Sequence, residues 1–499
     1  MELNVIEKSK RTIFKEETFM MLPKNDEKKN QSQYKQWLAA IVATLSMVAV
    51  GTVYGWTTTM ELRITGKIEN YKVPIVVTRD EFSWIVSLVQ ISAMIGSFLG
   101  AFIADYFGRK FSLLCSSIFF SIGWLFVIFG NNVFALYASR IILGIGVGMS
   151  YTTNPMYVSE VADTNIRGAL GTLIAINVFT GSLFTCCIAP WTSYMTTNLI
   201  LLSIPVIFFI LFLYFPESPY YLIKKKRYDD AKSAICFFKN CSNNEAQEKY
   251  NEIRENINDN KLNYNDSIYK NIKRLLSSNN RKAFLIVFGL IMAQQMSGNF
   301  STMQYLTSLF EKSKIQLIDT DVATIIVFAV GLISGVVATA TVEKAGRRKL
   351  LNISSSFCAI ILAILAFYLL HINDGKNDDE KSYESFLSLL PLIAVILFQV
   401  FYQSGLGTLP NALIGELFPT SAKGIAGAAL TISDGIIGFI TSKLYQIIGD
   451  TYGQHYNYFL FSGACFLAFF LIFIYVPETK NKTFVQIQDD LKKNRIFCC

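Results

Sequence analysis

Twelve stretches of about 20 mostly apolar residues follow one another along this chain of 499 residues. A helix of that length crosses the roughly 30 Å hydrocarbon core of a bilayer. Helices are expected because hydrocarbon offers no partner for a free backbone amide. The chain is therefore predicted to be an all-α membrane protein with twelve transmembrane helices, at residues 37–59, 82–104, 111–130, 133–153, 167–189, 197–215, 283–307, 322–342, 350–371, 386–411, 424–448 and 456–476.

The charged residues indicate how the chain lies in the membrane. They make up 16% of the chain, below the roughly 25% of soluble domains. Lys and Arg collect in residues 216–282 and in the turns 108–110 and 346–349. The positive-inside rule places these segments and both termini in the cytosol, so the net charge of +8 does not indicate a nucleic-acid partner. Residues 1–36 contain no apolar segment and are predicted to be a disordered cytosolic tail.

The two halves of the chain carry the same short signals in the same order. A turn with an acid and a basic pair follows the second and the eighth span, and a Pro-Glu pair closes the sixth and the twelfth. We therefore predict two pseudo-symmetric six-helix bundles, residues 37–215 and 283–476, related by an axis along the membrane normal. Residues 216–282 are predicted to be a cytosolic helical linker and residues 477–499 a cytosolic tail.

The repeated charged residues lie at the predicted cytosolic edge, where they can bridge helix ends. A network that forms when this side is shut and breaks when it opens would bias an equilibrium between two states. Positive-inside topology explains the arginines equally well, but it does not explain the acids. The candidate gating residues are Asp105, Arg109, Glu160, Arg167 and Glu217 in the first half, and Glu343, Arg347, Glu416, Lys423 and Glu478 in the second.

Residues 294–305 interrupt the apolar seventh span with amides, hydroxyls and a glycine. Polar side chains within a span face the bundle interior or a water-filled path. Because amides and hydroxyls both donate and accept hydrogen bonds, this set suits a neutral polyhydroxylated solute better than an ion. Hydrogen bonding between helices is the alternative for any single residue of the set. Gly298 allows the helix to bend or open.

One carboxylate, Asp434, falls inside the predicted eleventh span. A buried acid is costly unless it is paired, hydrated or protonated. Lys443 follows nine residues later, about 13 Å along a helix, which is too far for an easy ion pair. Asp434 is predicted to face the aqueous path, where it could accept hydrogen bonds from a substrate, select a cation or carry a proton. A hydrated helix end is the alternative.

Several short motifs together resemble the sugar-porter family of the major facilitator superfamily, and most of all its insect-type branch of facilitated trehalose transporter-like proteins. The resemblance covers about residues 35–490, and it implies a major facilitator fold that works by alternating access with a sugar held at mid-membrane. The motifs are Asp105–Lys110, the Arg140-x-x-x-Gly-x-Gly run, Pro155–Glu160, Arg167–Gly168, Pro216–Pro219, Gln294–Gly298, Gly346–Arg348, Gly415–Pro419 and Pro477–Lys480.

The resemblance also shows where positions that usually contact the sugar have changed. Asn411 replaces a usual Trp, Phe300 a usual Asn, Ala175 a Gln and Gly331 an Asn. Among the usual hexose contacts only the two adjacent glutamines of the seventh span are kept. The candidate substrate-binding residues are Gln294 and Gln295 first, then Asn299, Gln304, Tyr305, Asn411, Thr408, Asn177 and Asp434.

The expected function is that of an alternating-access uniporter, a monomer surrounded by lipid in the plasma membrane, which carries trehalose or a hexose-type polyol. A proton-coupled symporter is the first alternative, although residues 37–59 lack the carboxylate that symporters of the family carry in the first span. A non-transporting sugar receptor and a carrier of another organic solute are the others. The sequence has no recognisable catalytic triad, nucleotide loop or metal cluster, so no enzyme activity, cofactor or metal is expected.

Overall fold

The computed structural model describes residues 24–68, 71–163, 165–261, 278–313, 317–374, 388–418, 420–480, 482 and 486, and the regular secondary structure of this part of the chain is all helical. The first six spans are the helices Lys24–Ile64, Arg79–Tyr106, Arg109–Phe129, Val133–Val161, Arg167–Ile188 and Tyr194–Leu213. The linker contains the helices Pro219–Lys224, Tyr228–Lys239 and Asn243–Lys261.

The second half repeats this plan with two interrupted helices. The seventh span consists of Ser278–Met296, Asn299–Gln304 and Leu306–Lys312. The eighth and ninth spans are Thr320–Ala345 and Arg347–Asp374, the tenth is Leu390–Ser404 with Leu409–Leu417, and the last two are Thr420–Thr451 and Gln454–Tyr475. Eleven helices of the described chain are long and apolar enough to cross a membrane. The eleventh span, Thr420–Thr451, is not among them, and it is the span that carries Asp434 and Lys443.

The helices pack in equivalent pairs in the two halves. The first span lies against the fifth, the second against the fourth and the third against the sixth. In the second half the same pairs are the seventh with the eleventh, the eighth with the tenth, and the ninth with the twelfth. The halves meet where the second span packs on the eleventh and the fifth on the eighth. This arrangement confirms the predicted twelve-helix fold of two pseudo-symmetric six-helix bundles.

The first span is longer at both ends than the sequence indicated. The helix starts at Lys24, inside the segment expected to be a disordered tail, because residues 24–36 are rich in Lys and Gln, which extend an existing helix at little cost. It continues to Ile64, five residues beyond the predicted end, and so includes Glu61, whose side chain is buried. The expectation of a first span without a carboxylate is therefore wrong.

Close contact between the second and fourth spans depends on the glycines of the fourth. A Cβ atom added to Gly148 would lie 1.9 Å from the carbonyl oxygen of Ala93, and one added to Gly144 would lie 1.9 Å from Ser92 Oγ. No side chain fits at such distances, so the two backbones are in direct contact. Helices in hydrocarbon gain their association largely from such packing.

The seventh span is interrupted at Gly298, which separates its first two helical segments. Gly298 has a φ of +72°, in the left-handed region. A Cβ atom there would also lie 2.1 Å from the ring of Phe461 in the twelfth span. The break lies three residues after Gln295, so it sets the direction in which the polar stretch faces the bundle interior.

We expect Gly298→Ala to destabilise the protein, since an L side chain in this conformation costs about 1–2 kcal/mol before the clash with Phe461 is relieved. Thermal unfolding in detergent should show a lower midpoint. Gly463→Ala is the control, because a Cβ atom there meets nothing within 4 Å. An unchanged midpoint for Gly298→Ala would contradict the described break.

Candidate substrate site and its gates

Two ion-pair networks, one in each half, lie at the predicted cytosolic face. Arg109 Nη2 lies 2.9 Å from Glu160 Oε1, and Arg347 Nη2 lies 3.1 Å from Glu416 Oε1. Each arginine is the first residue of a helix, the third and the ninth span, and joins that helix to the end of the fourth or the tenth. The duplicated sequence signals therefore have the same geometry in both halves.

The glutamates of the two Pro-Glu pairs cap these same helices. Glu217 accepts the backbone N–H groups of Arg109 at 3.0 Å and of Lys110 at 3.0 Å. Glu478 accepts those of Arg347 at 3.0 Å and of Arg348 at 3.2 Å. The first N–H groups of a helix have no partner within it and favour a negative charge. Topology alone would need no acid at these positions.

The two capping carboxyls differ in their pKa. Burial raises the pKa of Glu217 above its usual value, and the hydrogen bonds from Ser218, Lys110 and Arg109 only partly offset this. Burial also acts on Glu478, but there the backbone N–H groups of Lys480 and the two arginines together hold the pKa below its usual value. The copy in the first half is thus the more deeply enclosed.

The remaining candidate gating residues divide into three groups. Asp105 lies 3.5 Å from Arg109 and 3.2 Å from Lys224 of the linker, so it belongs to the first network. Arg167 instead donates to the carbonyl oxygen of Ala162 at 3.4 Å, where it caps the fourth span, since cations are favoured at a helix C-terminus. The side chains of Glu343 and Lys423 lie outside the described residues.

A different set of ion pairs joins the two halves at the opposite face, which is predicted to be the outer one. Arg63 at the end of the first span pairs with Asp321 at 2.7 Å, and its side chain is only 4% exposed. Three further pairs cross the same boundary: Lys67 with Glu311, Arg79 with Asp450 at 3.2 Å, and Lys443 with Asp80 at 2.9 Å. We call these four pairs the outer lock. These four pairs close the outer face in this structure. None of them was predicted from the sequence.

Hydrogen bonds under the outer lock add to this closure. Thr58 Oγ1 in the first span donates to the carbonyl oxygen of Met303 at 2.8 Å, and Thr307 Oγ1 in the seventh donates to the carbonyl oxygen of Thr58 at 2.8 Å. Below them, Tyr54 packs edge-to-face on Phe300, with ring centroids 5.6 Å apart. The first and seventh spans therefore seal the outer side over the polar stretch.

The polar stretch itself forms the centre of the candidate site. Gln295 Nε2 donates to Asp434 Oδ1 at 2.6 Å, which joins the seventh and eleventh spans. Gln294 Nε2 donates to the carbonyl oxygen of Gly407 at 3.1 Å, within the break of the tenth span. We call Gln294, Gln295 and Asp434 the amide site. All three side chains are only partly buried, as expected for groups that line a path.

Asp434 has a neutral partner rather than a cationic one. The amide of Gln295 is its hydrogen-bond donor, while Lys443 lies over the ring of Trp84 and pairs with Asp80 in the outer lock. The predicted distance between Asp434 and Lys443 is thus consistent with their separate partners. Asp434 therefore keeps acceptor capacity for a hydroxyl group.

Of the other predicted contacts of the seventh span, Gln304 and Tyr305 are enclosed more deeply, while Asn299 is partly buried. Asn299 Oδ1 and the hydroxyl group of Tyr305 are buried without a hydrogen-bond partner. The ring of Tyr305 stacks on Tyr445 with centroids 5.1 Å apart, and it meets Phe82 of the other half edge-to-face at 5.7 Å. Gln304 is 3% exposed. These residues lie on the closed outer side, next to the site rather than in its partly open part.

Three weaker candidates lie elsewhere. Asn177 Nδ2 donates to Thr44 Oγ1 at 2.8 Å and so links the first and fifth spans. Thr408 Oγ1 donates to the carbonyl oxygen of Gln403 at 3.2 Å, within the break of the tenth span. Asn411 is exposed on the second segment of that span. Asn177 and Thr408 therefore have helix-packing partners of their own.

The structure adds tyrosines that sequence reasoning missed. The side chains of Tyr54 and Tyr151 lie near each other and near Asp434. Tyr402 of the tenth span lies beside the side chain of Gln294. Tyr54 and Tyr151 come from the first half, so the amide site faces hydroxyl groups from the other bundle. An aromatic residue in an apolar span gives no sequence signal of this kind, because most such residues only pack.

The comparisons with known proteins agree with this fold. Residues 22–491 match the family described as "Sugar (and other) transporter", so the chain belongs to that family of transporters and is not an enzyme. The chain is 27% identical over 456 residues to "Facilitated trehalose transporter Tret1" of Bombyx mori, covering 91% of this chain and 86% of that protein. It is 28% identical to "Sugar transporter ERD6-like 6" of Arabidopsis thaliana, covering 90% and 88%.

A solved structure shows the same fold. The inward open conformation of the xylose transporter XylE from E. coli matches with a TM-score of 0.73 at 20% identity, covering 91% of this chain and 99% of that one. The protein is therefore a multi-pass membrane protein of the major facilitator superfamily and a member of a family of sugar transporters.

We expect Gln295→Ala to raise the half-saturation concentration for transported sugar, because the variant loses a donor in the amide site and leaves Asp434 unpaired. Loss of one such hydrogen bond costs about 1–3 kcal/mol, a tenfold to hundredfold change. Asn457→Ala is the control, since this buried amide bonds to Tyr445 and Gln454 inside the bundle. Uptake kinetics in proteoliposomes measure the effect, and an unchanged value for Gln295→Ala would place the site elsewhere.

We expect Arg63→Glu to open the outer face, because breaking a largely buried ion pair costs the closed state about 3–5 kcal/mol. The measurement is the rate at which an impermeant maleimide on the outer side labels a cysteine placed at Thr302, in a background without native cysteines. Thr302 is fully buried under the lock. The double variant Arg63→Glu/Asp321→Arg should restore slow labelling. Equal labelling rates in the parent protein, the Arg63→Glu variant and the double variant would show that the outer lock does not hold the outer face closed.

Proposed function

We propose that the protein is a facilitative carrier that moves a sugar, trehalose or a hexose-type polyol, across the plasma membrane. It works as a monomer with both termini in the cytosol, and residues 37–215 rock against residues 283–476. The linker 216–282 connects the two bundles on the cytosolic side. The relatives named for trehalose and sugar transport support this choice of substrate class.

The single observation that carries the proposal is the amide site at the junction of the halves. Gln294, Gln295 and Asp434 come from the second half, while Tyr54 and Tyr151 face them from the first. Every group there is an amide, a hydroxyl or a carboxylate acceptor, which suits sugar hydroxyl groups. A ligand held by both bundles stabilises their approach, which is what alternating access requires.

Proton-coupled symport is the second candidate, and one contact favours it. Glu61 of the first span lies against Ser308 of the seventh, with Oε2 buried and without a hydrogen-bond partner. A carboxylate at the boundary between the halves could take up a proton in one conformation and release it in the other. Asp434 is the other intramembrane acid of this kind.

The deciding experiment is uptake of labelled trehalose, glucose, sucrose, polyols and organic cations into proteoliposomes, with and without an inward proton gradient. We expect a sugar to equilibrate without accumulation, and we expect Glu61→Gln and Asp434→Asn to show no gradient effect. The expected consequence of Asp434→Asn is weaker sugar affinity alone, because the variant replaces an acceptor of the amide site.

Three outcomes would change the proposal. Accumulation driven by the gradient, lost in either variant, would make the protein a symporter and identify the coupling residue. Uptake of a cation or another organic solute, without uptake of any sugar, would replace the substrate class. Sugar binding without uptake would favour a receptor.

A further inference from the structure

Gln399, in the tenth span, is a buried amide that receives no hydrogen bond from its neighbours and donates none to them. Its side chain has no solvent exposure, and neither Nε2 nor Oε1 has a hydrogen-bond partner. A primary amide can donate two hydrogen bonds and accept two. An unpaired amide in an apolar interior is unfavourable, and native structures rarely retain one without a function.

The surroundings of Gln399 place it at the boundary between the two moving halves. A Cβ atom at Gly331 of the eighth span would lie 3.3 Å from Gln399 Nε2 and 3.1 Å from the ring of Phe179. Phe179 belongs to the fifth span, in the other half. The absence of a side chain at Gly331 thus gives the amide its space, and rocking of the halves would move Phe179 relative to it.

Gln399 also lies one helical turn before a residue that neighbours the amide site. Tyr402 and Gln403 follow it by three and four residues, so they share its face of the tenth span. Tyr402 lies beside the side chain of Gln294, which belongs to the amide site. The amide of Gln399 therefore extends the row of polar groups away from Gln294 and toward the fifth and eighth spans.

Two other buried amides, those of Asn457 and Asn154, have hydrogen-bond acceptors for their Nδ2 groups. Asn457 Nδ2 donates to the carbonyl oxygen of Tyr445 at 2.8 Å, and Asn154 Nδ2 donates to that of Ala43 at 2.8 Å. These residues hold helices together. In Gln399 both the Nε2 donor and the Oε1 acceptor are unused, and the residue lies where the halves meet. A role in helix packing therefore does not explain it.

We propose that Gln399 is a further specificity-determining residue, whose amide recognises two neighbouring hydroxyl groups of the sugar, donating to one and accepting from the other. This rests on the proposed function as a sugar carrier. The contact forms when the sugar lies between the halves and Phe179 has moved away from Gly331. Gln399 then adds an amide of the tenth span to the groups of the seventh and eleventh spans that form hydrogen bonds with the sugar hydroxyl groups.

The test is Gln399→Met, which keeps the length of the side chain and removes both polar atoms. We expect the thermal midpoint without sugar to stay the same or rise, because an unpaired buried amide is removed. The half-saturation concentration for trehalose or glucose should rise roughly tenfold to hundredfold, as for one lost hydrogen bond. Asn457→Leu is the matched control, in which the midpoint should fall and the half-saturation concentration should not change.

Monodeoxy analogues of the transported sugar identify the hydroxyl groups. In the wild type, analogues that lack either of two adjacent hydroxyl groups should bind more weakly. In Gln399→Met the same analogues should show no further loss, since coupled contacts are not additive. Gln399→Asn, which withdraws the amide by one carbon, should give the same pattern, and it serves if the Met variant does not fold.

The failures can be told apart. A wild type that takes up no sugar would overturn the proposed function and this inference with it. A wild type that transports sugar, with an unchanged half-saturation concentration and a lower midpoint in Gln399→Met, would make Gln399 a packing residue and leave the proposed function intact. The inference would also be overturned if the loss of affinity caused by Gln399→Met simply added to the loss caused by every deoxy analogue.

Discussion

The structure depends on one constraint, which is that hydrocarbon offers no hydrogen-bond partner to a polar group inside a span. Each such group must be paired within the bundle or face a path. Thr58 and Thr307 illustrate pairing within the bundle, since each joins the first span to the seventh. Gln295 and Asp434 illustrate the other case, because they pair with each other and stay partly open. The position of the candidate site follows from this division.

Charges near the ends of the spans decide which side is closed. At the face predicted to be cytosolic the pairs Arg109–Glu160 and Arg347–Glu416 lie within a half, and they brace each bundle as a rigid unit. At the outer face the lock joins one half to the other, with Arg63 and Asp321 as its most enclosed pair. Rigid bundles and a breakable boundary are the two mechanical requirements of a rocking carrier.

Much of the fold could be predicted from the sequence because its signals are local. Apolar length gave the twelve spans, and the repeated turns gave the two bundles, since Gly108 and Gly346 have φ values of +115° and +90° in equivalent places. The Pro-Glu pairs also marked Glu217 and Glu478 as members of the charged networks, but their role as helix caps was not predicted. The end of the first span was misjudged, because Thr57, Thr58 and Thr59 interrupt the apolar pattern and hide the helical continuation to Ile64.

The remaining parts of the site could not be predicted, because they depend on contacts between distant residues. Arg63 and Asp321 are 258 positions apart, and Gln295 and Asp434 are 139 apart. In the sequence, Arg63 and Lys67 look like ordinary loop charges, and Tyr54 looks like a packing residue. Only the packing of the first span against the seventh and eighth gives these residues partners.

The central claim is that the two halves exchange between a closed and an open outer face around a bound sugar. Spin labels at Val76 and Leu317, which are both exposed on the outer side of different halves, would report this as a distance by pulsed electron resonance. We expect a short distance between the labels when the outer lock is closed, and a second, longer distance when the outer face is open. The fraction of molecules with the longer distance should change when transported sugar is added. A single distance under all conditions, in protein that still transports the sugar, would contradict it.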